Sequence, residues 1–221
     1  MNKPADVSFV AGTTSTYDSM LARFGGTPAV PTGSVTPWPA PQKRHSKALK
    51  SVVTSGKYHR VNHPIVTAAE EGLSRWARDW EVRAVGSGTS AIHTALDYFR
   101  RDGGKVMTAA YNWPGAVGAI SFSGMEPDFV DVDLDLAAID QTTACQRLSV
   151  DTRVVLITHL FGSNISAPHL RAASRERGAL ILDDVSQSIS AAGVLDGDKT
   201  LDSDALALSA NGAKHLGAGE P

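Results

Sequence analysis

Three groups of residues in this 221-residue chain have types and spacing suited to chemistry. Asp183 and Asp184 follow the apolar run Ala179-Leu180-Ile181-Leu182. About one βα unit later, Lys214 lies in Ser209-Ala210-Asn211-Gly212-Ala213-Lys214, after the apolar run 205–208. Upstream, Gly86-Ser87-Gly88-Thr89-Ser90-Ala91 joins a short apolar run to a helical pattern. A lysine held in a desolvated turn loses its proton more readily and becomes nucleophilic. A carboxylate at the carboxyl end of a buried strand stands where open α/β sheets bind ligands, and alternation along the strand sends only one of the two toward such a site. A glycine-rich turn into a helix N-terminus offers free N–H groups to an anion, and the Thr89 and Ser90 hydroxyls add donors. Each group also has a plainer reading: aspartates and Ser87 as helix caps, and the lysine as a solvated surface group.

Taken together the groups discriminate between cofactors. The loop fits the loose dinucleotide pattern G-x-G-x-x-A, but a dinucleotide site wants a carboxylate about 20 residues on, at the tip of the second strand. That tip reads Thr108-Ala109-Ala110-Tyr111-Asn112, with no acid. A cofactor with a single phosphate needs none. Phosphate loop, carboxylate and lysine suit pyridoxal 5'-phosphate (PLP): the lysine forms the Schiff base, and the aspartate keeps the pyridine nitrogen protonated so that the ring accepts electrons.

The elements that must hold these groups are legible from periodicity. Residues 1–42 contain six of the eleven prolines and are expected to be mostly irregular. Helices are expected over 44–54 and 64–80. From residue 82 short apolar strands alternate with helices: strands at 82–85, 106–110, 129–132, 154–158, 179–182 and 205–208, and helices after Ser87, over 115–123, between the third and fourth strands, and over 167–177. That alternation predicts βαβ units and a mostly parallel sheet. The expected organisation is an N-terminal irregular arm and helix over 1–60, then a PLP-binding domain over 61–221.

Composition narrows the class. Net charge is −2, which gives no bulk argument for nucleic acid or an anionic membrane. Seven basic residues from Arg23 to Arg60 fall in a stretch without acids, as a solvated face or an arm meeting a phosphate. Cys145 is the only cysteine, so no internal disulfide forms and a reducing, cytoplasmic setting is natural. No signal peptide and no apolar run of about 18 residues is seen. No metal site is expected.

Five segments, in order, resemble the DegT/StrS-type nucleotide-sugar aminotransferases, fold type I PLP enzymes. Ser87-Gly88-Thr89-Ser90-Ala91-Ile92-His93 resembles S-G-T-[AS]-A-L-H, and Tyr111-Asn112-Trp113-Pro114-Gly115-Ala116 resembles T-[FW]-x-A-T. Thr158-His159-Leu160-Phe161-Gly162 resembles V-H-L-Y-G, and Asp183-Asp184-Val185-Ser186-Gln187 resembles E-D-A-A-Q. Ser209 to Gly219 resembles S-F-x-x-x-K-N-L-G-A-x-G. The resemblance implies that Asp184 pairs with the pyridine nitrogen, Trp113 stacks on the ring and Gln187 sits by the ring hydroxyl. It implies that Gly88, Thr89, Ser90 and Ser209 hold the phosphate, and that Lys214 is the Schiff-base lysine. Ile189-Ser190, Ala210 and His215 depart from the family pattern, while Lys214 argues against the branch of dehydratases that carries histidine there.

The expected reaction moves an amino group from glutamate or glutamine to a keto-sugar nucleotide or related cyclic ketone, in a homodimer. Family members continue well past the lysine into a C-terminal small domain, whereas this sequence stops at Pro221. The alternative expectation is therefore a truncated, catalytically silent product, or a half-protein completed by a separately encoded C-terminal half.

Overall fold

Alternation of apolar strands with helices produces a doubly covered parallel sheet. The computed structural model describes residues 21–35, 38, 43–77, 80–100, 103–189 and 201–217. The chain divides into two units, 1–42 and 43–221. Among the described residues of the first, Ala22–Phe24 forms one 3-10 turn closed by Gly25 at φ 95°.

The second unit opens with α1 (Lys43–Ser55) and α2 (Pro64–Ala77), followed by α3 (Gly88–Phe99), β1 (Lys105–Ala109) and α4 (Pro114–Phe122). Next come β2 (Glu126–Val130), a two-stranded antiparallel ribbon of β3 (Val132–Asp133) and β4 (Ala138–Ile139), α5 (Gln141–Arg147) and β5 (Thr152–Thr158). α6 (Pro168–Glu176), β6 (Leu180–Asp184) and β7 (Ala205–Ala207) follow. The main sheet has the order β2-β1-β5-β6-β7, with every neighbouring pair parallel. The order turns back between β1 and β5, the kind of switch point at which such sheets bind ligands.

Side chains alternate across the pleat, so each strand feeds two cores. Val106, Val154, Leu156, Leu182 and Ala207 pack with Ile92 and Leu96 of α3 and Ala116, Ala119 and Ile120 of α4. Met107, Val155, Ile157 and Ile181 pack with Ala144 of α5 and Leu170 of α6. Full burial of each large apolar side chain contributes about 1.5–3 kcal/mol. The fold is that of fold type I PLP-dependent transferases, a mostly parallel sheet flanked by helices.

Two expected elements differ. Residues 82–85 form no strand. Their donors go to α2 side chains instead: Val82 N–H to Ser74 Oγ at 3.1 Å and Ala84 N–H to Glu70 Oε1 at 2.7 Å. With these acceptors in place, these two N–H groups are satisfied without a ladder. The strand expected at 129–132 begins earlier, at Glu126. Pro127 lacks an N–H, and it is accommodated because β2 is an edge strand. The β3–β4 ribbon was not foreseen. Its turn is closed by Asp133 Oδ1, which accepts from Asp135 N–H at 2.9 Å and Leu136 N–H at 3.0 Å.

Candidate active site at the carboxyl edge of the sheet

The carboxyl ends of β1, β5, β6 and β7 and the N-termini of α3 and α4 gather the residues singled out from the sequence. Ser87 caps α3, its Oγ accepting from Ser90 N–H at 3.1 Å and lying 3.0 Å from Ser90 Oγ. Gly88 begins the helix. A Cβ placed there would lie 3.1 Å from Ser186 Oγ and 3.2 Å from Ser209 Cβ. The α3 N-terminus, the turn after β6 and the segment after β7 therefore meet at this glycine. At the start of α4 a Cβ on Gly115 would run into the Trp113 indole and come within 2.7 Å of Thr89 Oγ1, which joins Thr89 and Trp113 at one corner. Trp113 is 60% exposed, leaving ring surface free.

Asp184 is buried and register-paired with Thr158. Its Oδ1 accepts from Ser186 N–H at 3.0 Å. Burial pushes its carboxyl above the ordinary range, while hydrogen bonds from Ser186 and the charge of Lys214 work in the other direction. Lys214 thus stands within electrostatic reach of Asp184. It is half-buried in a turn where its N–H donates to Asn211 O at 2.8 Å and Ala213 N–H to Asn211 Oδ1 at 2.9 Å. Gln187 presents its side-chain carbonyl to Phe161 N–H at 3.1 Å, so its amide nitrogen is the end turned to other partners. Phe161 sits in the left-handed region at φ 56°, a conformation that a bulky residue adopts only when its surroundings hold it there. The exposed Phe161 and Tyr111 rings lie 6.4 Å apart.

Asp183 points the other way. Its carboxylate accepts from Arg171 at 2.8 Å on each oxygen, from His159 Nε2 at 2.7 Å and from Ser203 Oγ. Burial by itself would raise its pKa, but these donors and their charge hold it below the usual carboxylate range. His159 Nδ1 accepts from Ile165 N–H at 3.1 Å, so the ring proton lies on Nε2, toward Asp183. Sequence reasoning missed this cluster and Ser186. Arg171 gave no local signal, because its side-chain partners Asp183 and Ser203 lie 12 and 32 residues away.

The residues present fit PLP. Gly88 lets Ser186 and Ser209 approach the backbone closely at a capped helix N-terminus flanked by hydroxyls, and Lys214 is within electrostatic reach of the buried Asp184 carboxylate. Among the described residues no His, Cys, Asp and Glu cluster could hold a metal ion, and no helix is long and apolar enough to cross a membrane.

Comparison with known proteins agrees with this reading. The chain is similar to Protein MosB of Rhizobium meliloti, 26% identical over 186 residues, covering 83% of this chain and 36% of MosB. It is similar to L-glutamine:2-deoxy-scyllo-inosose aminotransferase of Streptomyces paromomycinus, 26% identical over 176 residues, covering 76% of this chain and 41% of that protein. Its fold matches NtdA from Bacillus subtilis, solved with bound cofactor PMP, at a TM-score of 0.63 and 25% identity, over 68% of this chain and 35% of NtdA. The chain thus spans roughly two fifths of the length of these relatives. The model of the DegT/DnrJ/EryC1/StrS aminotransferase family matches residues 39–220, and the chain belongs to that family.

Proposed function

We propose that this chain carries the cofactor-binding part of a PLP-dependent aminotransferase that moves an amino group from glutamate or glutamine to a keto-sugar nucleotide or a related cyclic ketone. The observation that carries the reading is the buried Asp184 within electrostatic reach of Lys214, and the bare Gly88 at the head of α3 on which Ser186 and Ser209 close. When bound, PLP supplies a ring that takes up the electron pair released at the substrate Cα. Asp184 holds the proton on the ring nitrogen by opposite charge in a desolvated pocket. Gly88, Thr89, Ser90 and Ser209 receive the phosphate through backbone N–H and hydroxyl donors. Trp113 offers its exposed face to the ring, and the Gln187 amide lies near the ring hydroxyl. Lys214 Nζ attaches the cofactor and then serves as the base that moves a proton from the substrate Cα. The sugar or cyclitol acceptor is supported by the named activity of the Streptomyces relative, and the homodimer by the family.

The test is to incubate the protein with PLP, add borohydride and map the product by mass spectrometry. The expected result is a stable adduct on Lys214. An adduct on other lysines with Lys214 unmodified overturns the assignment.

A further inference from the structure

Buried hydroxyls in strands ordinarily find a partner, because leaving one unpaired costs more than the bond is worth. Thr108 in β1 obeys this rule: its Oγ1 donates to Leu156 O at 3.0 Å and accepts from Asn112 Nδ2 at 3.0 Å. Thr158, at the last position of β5, does not. It is 8% exposed, and its Oγ1 has no hydrogen-bond partner. Gln141 Oε1 and Ser188 Oγ share that condition, but neither belongs to a strand of the sheet.

The place of this hydroxyl is fixed by alternation. Val154 and Leu156 pack on the α3 side of the sheet, as Leu182 does on the neighbouring strand. Thr158 and Asp184 continue those two rows and are paired in register, so both side chains stand on the α3 side at the carboxyl edge. The unpaired hydroxyl is therefore a neighbour of the carboxylate assigned to the pyridine nitrogen.

We propose that Thr158 is a ring-side contact residue of the cofactor site, its Oγ1 hydrogen-bonding at the Asp184–pyridine pair once the ring is seated. The inference rests on the PLP reading above. A threonine kept only for packing gains nothing from a hydroxyl that valine would replace at equal shape. A threonine kept for a ligand leaves its hydroxyl unpaired until that ligand arrives.

The two roles give effects of opposite sign, and Thr158→Val separates them. Without cofactor, removing an unpaired buried hydroxyl raises the melting temperature by about 2 °C. With cofactor, it weakens binding about tenfold. The probe is 4-deoxypyridoxine 5'-phosphate, which keeps ring and phosphate but cannot link to Lys214, titrated by fluorescence beside inorganic phosphate. The expected result is a tenfold loss for the analogue, no change for inorganic phosphate, and recovery of analogue binding in Thr158→Ser. Equal analogue affinity in parent and Thr158→Val overturns the proposal, and so does a loss that Thr158→Ser fails to restore. If the parent binds neither PLP nor the analogue, the PLP reading itself has failed. A parent that binds both while Thr158→Val is silent removes only the role of Thr158.

Discussion

The two faces of the sheet at the end of β6 treat adjacent aspartates in opposite ways. On the α6 side, Asp183 is fully compensated: two Arg171 nitrogens, His159 and Ser203 all donate to it. On the α3 side, Asp184 is as deeply buried, and Ser186 N–H donates to it. The same chemistry, one residue apart, is held low in pKa on one face and pushed up on the other. Burial is common to both, so the difference comes from partners. Asp183 is saturated with donors from three side chains, whereas Asp184 is buried with donors from Ser186.

The scaffold side extends beyond Asp183. Arg171 also donates to Ser166 O at 2.7 Å and Asp202 O at 3.1 Å. One turn later Arg175 donates to Asp204 and to Asp202 at 2.8 Å. These two arginines of α6 hold the segment entering β7, the strand that leads to Ser209 and Lys214. The clamp lies on the opposite face from the site but fixes the strand that delivers the lysine.

Removing one side of the buried pair should give the largest effect. Arg171→Met strands a charged Asp183 in the core, and about 3–5 kcal/mol of stability is expected to be lost in urea denaturation. Combining Arg171→Met with Asp183→Leu removes both charges and is expected to recover most of that loss. If Arg171→Met costs under about 1 kcal/mol, Asp183 is not compensated in the way described.

Asp184→Asn should behave in the reverse manner. Loss of the charge that pairs with the ring nitrogen is expected to weaken PLP binding by about 2–5 kcal/mol, the penalty for truncating one partner of a buried charge pair. Without cofactor the same change relieves a desolvated carboxylate, so the melting temperature at pH 7 is expected to rise. If Asp183→Asn instead produces weaker binding with unimpaired folding, the assignment of the two carboxylates is inverted.

Acid titration sharpens the comparison without mutation. The folded-state pKa of Asp183 is depressed, so its contribution is present above the unfolded value of about 4 and is lost as pH falls through the folded value. Asp184 is raised, so it disfavours folding above its folded pKa and releases that penalty as pH falls toward the unfolded value. Asp183→Asn should therefore flatten the loss of stability below pH 4, and Asp184→Asn should remove the gain that precedes it. Urea midpoints across pH 2–7 read both.

Much of this arrangement was legible in the sequence because it is local. Ser87 as cap, Gly124 and Gly178 ending helices at φ 73° and 69°, and the apolar runs of β5 and β6 all act within a few residues. Alternation also required the two aspartates to part company. What periodicity could not supply was the partner of each group. Residues 82–85 have strand composition, yet the N–H groups of Val82 and Ala84 are taken by Ser74 and Glu70. Arg171 is one of several arginines on a helix until the fold brings Asp183 and Asp202 to it. Thr158 belongs to an ordinary β run, and only the structure shows that its hydroxyl is unmet.

Gly88 offers the smallest and most local test of the site side. The phosphate reading requires the backbone here to stay bare, since a Cβ would sit 3.1 Å from Ser186 Oγ and 3.2 Å from Ser209 Cβ. Both contacts are tight by a few tenths of an ångström, so the neighbouring segments must move slightly to admit a methyl group. Alanine also favours the first turn of a helix over glycine, by up to about 1 kcal/mol, which offsets the strain. Gly88→Ala is therefore expected to change stability by less than about 1 kcal/mol in urea. The same displacement of Ser186 and Ser209 falls where the phosphate must sit, and binding of the phosphorylated cofactor should weaken about tenfold. Pyridoxal, which lacks the phosphate, should lose nothing. Equal losses for both forms would place Gly88 in the scaffold with Asp183, and no loss for either would remove the α3 N-terminus from the site.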